Sequence, residues 1–304
     1  MHRQQRRLSQ TRCEPISQNR GRMNNHMRGS INFLFVLPSL TGVTVFVLWP
    51  FAGAVRGSFQ DAMGEVFVGV SNYVSVYENE AMRLATINTL RFVGVCIPLL
   101  LAISLGLALL MKPVKRSAGL FSASFLLPMA IPVASVALIW QVVFAQRGML
   151  SAMLSCFGVP STDWINSNSA FWVLVISYIW RNMGYDMVLW RAALSGLDPA
   201  QQEAAQVDGA SAMQRFGYIT MPALMPSLFT IAVLSLLNSF KVFREAYLIA
   251  GNYPHSSIYL LQHLFSNWFT ALDMQKLCAA AVLVAAVILA LIVVLQRLWE
   301  GNEA

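Results

Sequence analysis

Charged side chains are scarce in this chain: 12% of residues are Asp, Glu, Lys or Arg, against 57% hydrophobic ones, where a water-soluble domain carries about a quarter charged. That shortage excludes a soluble globule, which could not hide so much apolar surface. Length alone, 304 residues, would allow two soluble domains, but the apolar runs point to one membrane domain with a tail. The four cysteines, at positions 13, 96, 156 and 278, form no CxxC pair. A disulfide framework or thiolate metal site is therefore not indicated, and small buried hydrophobes are expected. The four histidines, at 2, 26, 255 and 263, form no cluster within an apolar run. A membrane enzyme would lack its acid–base pair or metal centre, and His255 and His263 are expected at the surface. No GxxxxGKS or GxxxxGKT phosphate loop occurs, so the chain is not expected to hydrolyse ATP by itself.

What is present is a set of six apolar runs, each near the ~20 residues that a helix needs to cross a hydrocarbon core of about 30 Å. They cover 31–55, 84–111, 121–144, 170–189, 223–250 and 277–298. Arg181, Asn182 and Asp186 interrupt the fourth. The first run follows a basic tail, lacks a small-residue cleavage site and outlasts a signal peptide, so it is expected to stay as an anchor. The tail is rich in Arg, Gln, Asn and Ser and is expected to be disordered. The resulting plan is a tail at 1–30, a first span with an external loop at 31–83, a five-helix core at 84–298 and a short tail at 299–304.

The formal charge of +7 invites a nucleic-acid reading, and the placement of the basic residues argues against it. Seven lie in the tail: Arg3, Arg6, Arg7, Arg12, Arg20, Arg22 and Arg28. On the same side fall Lys112, Lys115, Arg116, Arg191, Arg215 and Arg297, and on the other only Arg56, Arg83, Arg147 and Lys276. Thirteen against four places both termini in the cytoplasm, since cytoplasmic loops carry the Lys and Arg excess. No basic stripe interleaved with aromatics appears, and no nucleic-acid partner is expected. Pro98, Pro128 and Pro132 fall inside the second and third runs, where they can kink a helix, either for a gated cavity or for static packing.

Between 194 and 222 the chain is too polar to span. Its turn chemistry predicts two short helices. Asp198 is a good N-cap, Pro199 suits the first helical position and Gln201 follows three residues after the cap. Asp208-Gly209 supplies a stop. Ser211 with Gln214 then offers a capping box, Met213 and Phe216 share a face, and Pro222 ends this helix or begins the next span. Ala204 and Ala205 leave room for another surface beside Glu203.

Glu203-Ala204-Ala205, Asp208-Gly209-Ala210, Ile219 and the prolines at 222 and 226 resemble the EAA loop of binding-protein-dependent ABC importer permeases. Met221 stands where that loop usually has leucine. Ser58-Phe59, the stretch from Phe67 to Tyr73, Asn88-Thr89, Leu127-Pro128, Trp180 with Gly184, and Phe240-Lys241-Val242-Phe243 are similar to the sugar permeases within that family. Gly251-Asn252-Tyr253-Pro254 and Arg244 depart from them, where Gly-Gly-Pro and aspartate are usual. The resemblance implies an all-α polytopic protein of six transmembrane helices in the bacterial inner membrane, of type I ABC importer permease architecture. It implies that Glu203, Ala204, Ala205, Asp208, Gly209 and Pro222 form a coupling loop docked on an ATPase subunit, which uses the ATP and Mg while this chain holds no cofactor. It also implies a second permease, expected to differ in sequence, an extracytoplasmic solute-binding protein and a carbohydrate substrate.

Ionisable groups inside a span are costly and face a partner or a water-filled cavity. Lys241 and Glu245, four apart, can pair on one helix face, whereas Arg181 and Asp186, five apart, share no face well. A carbohydrate path wants amides, carboxylates and aromatic faces together. Trp180, Asn182, Tyr185 and Asn238 supply amides and aromatic faces and Lys241 is placed on the path with them, with interhelical hydrogen bonding or packing as the plainer role. A secondary transporter or channel remains the rival; Asp186 and Glu245 would be its carboxylates, and the polar loop would lack a purpose.

Overall fold

A backbone in lipid must satisfy its own hydrogen bonds, and a chain with continuous apolar runs of about 20 residues does so as helices. The computed structural model describes residues 36–111, 118–158 and 160–300 and is all-α, with one isolated antiparallel bridge, Gln60 to Phe67, among the described residues. In order come α1 (Val36–Gly57), α2 (Ser71–Glu78), α3 (Glu80–Leu110), α4 (Ala118–Ala130), α5 (Val133–Phe144) and α6 (Met149–Ser155). Then follow α7 (Ala170–Ser195), α8 (Pro199–Val207), α9 (Ala212–Ala250), α10 (Leu261–Thr270) and α11 (Met274–Glu300). Five stretches among the described residues are long and apolar enough to cross a membrane: α1, α3, α5 with α6, α9, and Met274–Val294 of α11. The tail at 1–30 and the basic residues Lys112, Lys115 and Arg116 lie outside the described residues. The chain divides into two compact units, Met1–Arg56 and Gly57–Ala304.

Three expected runs take a different form. The third, 121–144, is two helices, because Pro132 has no N–H to donate and turns extended as the N-cap of α5. Pro98 and Pro128 stay inside α3 and α4. The fourth, α7, is not among the five apolar stretches, yet it is a 26-residue helix. Its polar positions are tolerated because α7 is the most enclosed element, with Phe171, Leu174, Tyr178, Met187 and Trp190 all buried. The fifth begins at Ala212 rather than 223: the predicted second short helix of the polar segment is the start of α9 and has no break from it. A π turn at Phe216–Thr220 absorbs the prolines that follow, and Pro222 sits in the first turn after it.

The core is built along α3 in three clusters. Ala85 packs with Val76 of α2, Leu264 and Trp268 of α10 and Ala279 and Ala280 of α11. Phe92, Cys96 and Leu100 pack with Phe171, Leu174 and Tyr178 of α7 and Val242 and Ala246 of α9. Ala108 packs with Met187, Trp190 and Leu194 of α7 and Leu224 and Ile231 of α9. Together these fix α7 between α3 and α9. Gly184 sets how close α4 comes to α7, since a Cβ there would overlap the Phe125 carbonyl.

Polar side chains tie the segments between spans. Asn72 donates to the carbonyls of Ser58 and Gln60 at 2.9 and 2.8 Å, and the Ser58 and Tyr73 hydroxyls meet at 2.6 Å. Asn88 of α3 donates to the carbonyls of Ser256 and Tyr259, and Thr89 accepts the Leu261 N–H. Several sequence signatures around the spans are thus fold staples. Asp61 accepts from the backbone N–H groups of Val66 and Glu65, which hold its carboxyl below the usual range.

Candidate functional site

The hairpin formed by α8 and the first turns of α9 is capped as its sequence requires. Asp198 accepts the Ala200 N–H at 2.9 Å, Pro199 opens the helix, and Ser211 and Gln214 close a reciprocal capping box at 3.3 and 2.8 Å. Gly209 makes the corner with φ +82°, where an L side chain would be strained. Two side-chain bonds lash α8 to α9: Gln202 donates to Thr220 at 2.9 Å, and Arg215 donates to Gln206 at 2.6 Å. Glu203, Ala204, Asp208 and Gly209 are exposed, Ala205 is half-buried, and Pro222 is exposed. Val207, Met213 and Tyr218 are 87%, 78% and 83% exposed, an apolar surface beside the alanines. A displacement of α8 therefore moves the end of a 39-residue helical stretch.

A polar seam runs between α7 and α9. Arg181 Nε lies 3.4 Å from Glu245 Oε1, with the two side chains only 14% and 7% exposed. Asp186, buried, accepts from the Ser235 hydroxyl at 2.7 Å. Glu245 therefore pairs across helices and not with Lys241, as the four-residue spacing suggested. The reason is geometric: a 3-10 turn at Phe240–Val242 breaks the helical register between Lys241 and Glu245. Lys241 instead donates to Asn238 Oδ1 at 2.8 Å and is exposed, as is Arg244.

The five expected path residues do not converge on one cavity. Asn238 and Lys241 are bonded together; Asn182 donates back to the Tyr178 carbonyl at 2.8 Å; and Trp180 meets Trp140 of α5 edge-on, with centroids 5.5 Å apart. Tyr185 is half-buried on α7. One open cleft of about 600 Å³ is lined by Gln141, Gln146, Asp163, Asn166 and Tyr247, none of them expected from the sequence. Gln141 is fixed there by donating to the carbonyls of Leu248 and Ile249. Asp163 is held below the usual carboxylate range by the Asn166 side chain and backbone. Of the cleft's amides and carboxylate only Gln141 lies inside an apolar run, where an amide is costly near lipid and was a visible signal; Gln146, Asp163 and Asn166 fall in the loop between 144 and 170 and gave none.

Two expectations of burial are corrected, His263 having been expected at the surface and Cys156 in the interior. His263 is fully buried; its Nδ1 accepts the Leu260 N–H that opens α10, its ring packs edge-on against Phe243, and burial lowers its pKa to about 4. Cys156 is exposed at the end of α6, while Cys96 is buried and Cys278 half-buried. Among the described residues no group of His, Cys, Asp and Glu could hold a metal ion.

A model of the family described as "Binding-protein-dependent transport system inner membrane component" matches residues 98–300. The trehalose/maltose transport system permease protein MalF of Thermococcus litoralis is 28% identical over 275 residues, covering 88% of this chain and 93% of that one. The sn-glycerol-3-phosphate transport system permease protein UgpA of Yersinia pestis is 27% identical over the same length, with the same coverage. Among solved structures, a chain of a bacterial ABC transporter involved in importing the acidic polysaccharide alginate superposes with a TM-score of 0.78 at 21% identity, covering 91% of this chain and 97% of that one. A second structure of a bacterial alginate ABC transporter, in complex with an alginate pentasaccharide-bound periplasmic protein, gives 0.76 at 21% identity over 90% and 95%.

Proposed function

The chain belongs to the family of binding-protein-dependent transport system inner membrane components, and on that premise we propose that it is the permease subunit of an ATP-driven importer that carries a carbohydrate. It is an inner-membrane transport component. In the proposed arrangement six spans (α1, α3, α4 with α5, α7, α9 and α11) leave both termini and the α8 hairpin in the cytoplasm. A loaded binding protein docks on the external segments. Two ATPase subunits grip Glu203, Ala204, Ala205, Asp208 and Gly209, and a second permease of different sequence completes the path. ATP and Mg belong to those ATPases.

The observation that carries this reading is the hairpin itself. A polar helix capped at its start, turned by glycine and lashed to a long membrane helix has the mechanics of a lever. Closure of the ATPases would push α8, tilt α9 below Pro222 and change access along the solute path, for which Asn238 and Lys241 of α9 and Trp180, Asn182 and Tyr185 of α7 are the candidate residues. The carbohydrate class draws on the permease relatives, which are named for trehalose and maltose and for sn-glycerol 3-phosphate.

Glu203→Gln and Gly209→Val are expected to lower both uptake and binding-protein-stimulated ATPase activity in vesicles, with membrane insertion intact by detergent extraction and immunoblot. Unchanged uptake in both variants would remove the coupling role. Uptake by the purified chain alone, driven by a proton gradient in liposomes, would replace the importer with a secondary transporter.

A further inference from the structure

We propose that the solute carries an oxyanion, a carboxylate or phosphate on its sugar, and that Lys241 and Arg244 receive that charge inside the membrane. This rests on the importer reading above and deepens it.

The argument begins with depth. Arg181 lies about 16 Å from the Ala170 end of α7 and about 21 Å from its Ser195 end, at a rise of 1.5 Å per residue. The pair with Glu245 therefore fixes residue 245 near the middle of the span. Leu194 packs with Leu224, so α9 runs from that cytoplasmic end upward, and Lys241 lies about 6 Å to the cytoplasmic side of Glu245 at the same rise per residue. Lys241 and Arg244 are thus cations well inside the hydrocarbon region.

Both are exposed in the chain. A cation at this depth cannot face lipid tails without a large penalty, so its exposed side must border water or a partner. The local charge does not close. Glu245, the nearest carboxylate in sequence, is in contact with Arg181 and feels Arg244 only at longer range, and Asp186 is buried against Ser235. No salt bridge within 4 Å joins Lys241 or Arg244 to a carboxylate among the described residues, and the Asn238 amide that Lys241 touches is neutral. Two exposed cations three residues apart lie within reach of one anionic group, with Asn238 beside them to meet a hydroxyl. Arg181 and Arg244 share the single Glu245 charge and Lys241 has no carboxylate beside it, so a neutral sugar would leave a net positive charge in a low-dielectric channel, whereas a sugar acid or sugar phosphate brings the missing charge.

The test uses the whole transporter, purified through this chain with its co-purifying permease, ATPases and binding protein, in liposomes. ATPase stimulation is read with digalacturonate, glucose 6-phosphate and, as neutral probes, maltose and trehalose. Stimulation by at least one anionic probe and not by the neutral ones is expected, and which one responds separates carboxylate from phosphate. In K241Q/R244Q the half-maximal concentration of that probe should rise at least about tenfold, as for a lost charge-assisted contact, while K241R/R244K retains response. Stimulation by maltose or trehalose that K241Q/R244Q leaves unchanged would overturn the proposal while keeping the importer reading. No stimulation by any sugar would overturn both. If K241Q/R244Q instead loses its permease partner during purification, with anionic stimulation unaltered in what remains, the cations serve subunit pairing and the proposal falls.

Discussion

Arg181 and Glu245 are both largely shielded from water, and breaking a buried ion pair costs more than the pair itself contributes. Arg181→Met strands the Glu245 charge and is expected to destabilise the fold by about 3–5 kcal/mol, read as a lowered thermal midpoint of the detergent-purified protein. Arg181→Met combined with Glu245→Leu should recover most of that loss, because apolar side chains of similar volume replace the pair. A double variant no better than the single one would mean that Glu245 has other support. The residue types of this seam were visible in the sequence; the partner choice was not. Spacing favoured Lys241 for Glu245, and only the irregular turn at Phe240–Val242 shows why that contact fails. His263 was misplaced for a related reason. Its position outside the apolar runs suggested solvent, but α10 folds back against the bundle and the Phe243 and Tyr259 rings cover it.

The hairpin is the element most completely specified by local rules. Its caps, its glycine corner and its exposed alanines follow from residues adjacent in sequence. The bonds that make it a lever do not, because Gln202 finds Thr220 and Gln206 finds Arg215 only once α8 lies along α9. Each such bond contributes about 1 kcal/mol, enough to stiffen a small element. Gln202→Ala with Gln206→Ala is therefore expected to leave basal ATPase activity intact and lower the solute moved per ATP hydrolysed, compared by parallel uptake and phosphate-release assays. An unchanged ratio would show that α8 transmits force without these ties. The prolines carry a similar lesson. Pro132 ends a helix and Pro98 does not, a difference set by the surrounding packing and not by the residue.

At the scale of the whole molecule, the proposed topology puts α6 and its exposed Cys156 outside the cell. A membrane-impermeant maleimide is expected to label Cys156 in intact spheroplasts and to lose that labelling in Cys156→Ser. Labelling only after lysis would invert the orientation and move the α8 hairpin to the exterior, where no ATPase could reach it.

The sequence by itself determined that this chain is helical and lies in the membrane, where its apolar runs fall, and how the polar hairpin starts and turns. Those properties depend on composition, on period and on neighbours a few residues apart. The tertiary structure decided that the most polar of the expected spans is the most enclosed helix, that Arg181 meets Glu245, that α9 begins a full eleven positions before its apolar run, and that Lys241 and Arg244 are left exposed. Each of these depends on helices distant in sequence packing side by side, and lipid hides from a hydropathy pattern which face of a helix meets protein and which meets the solute's path.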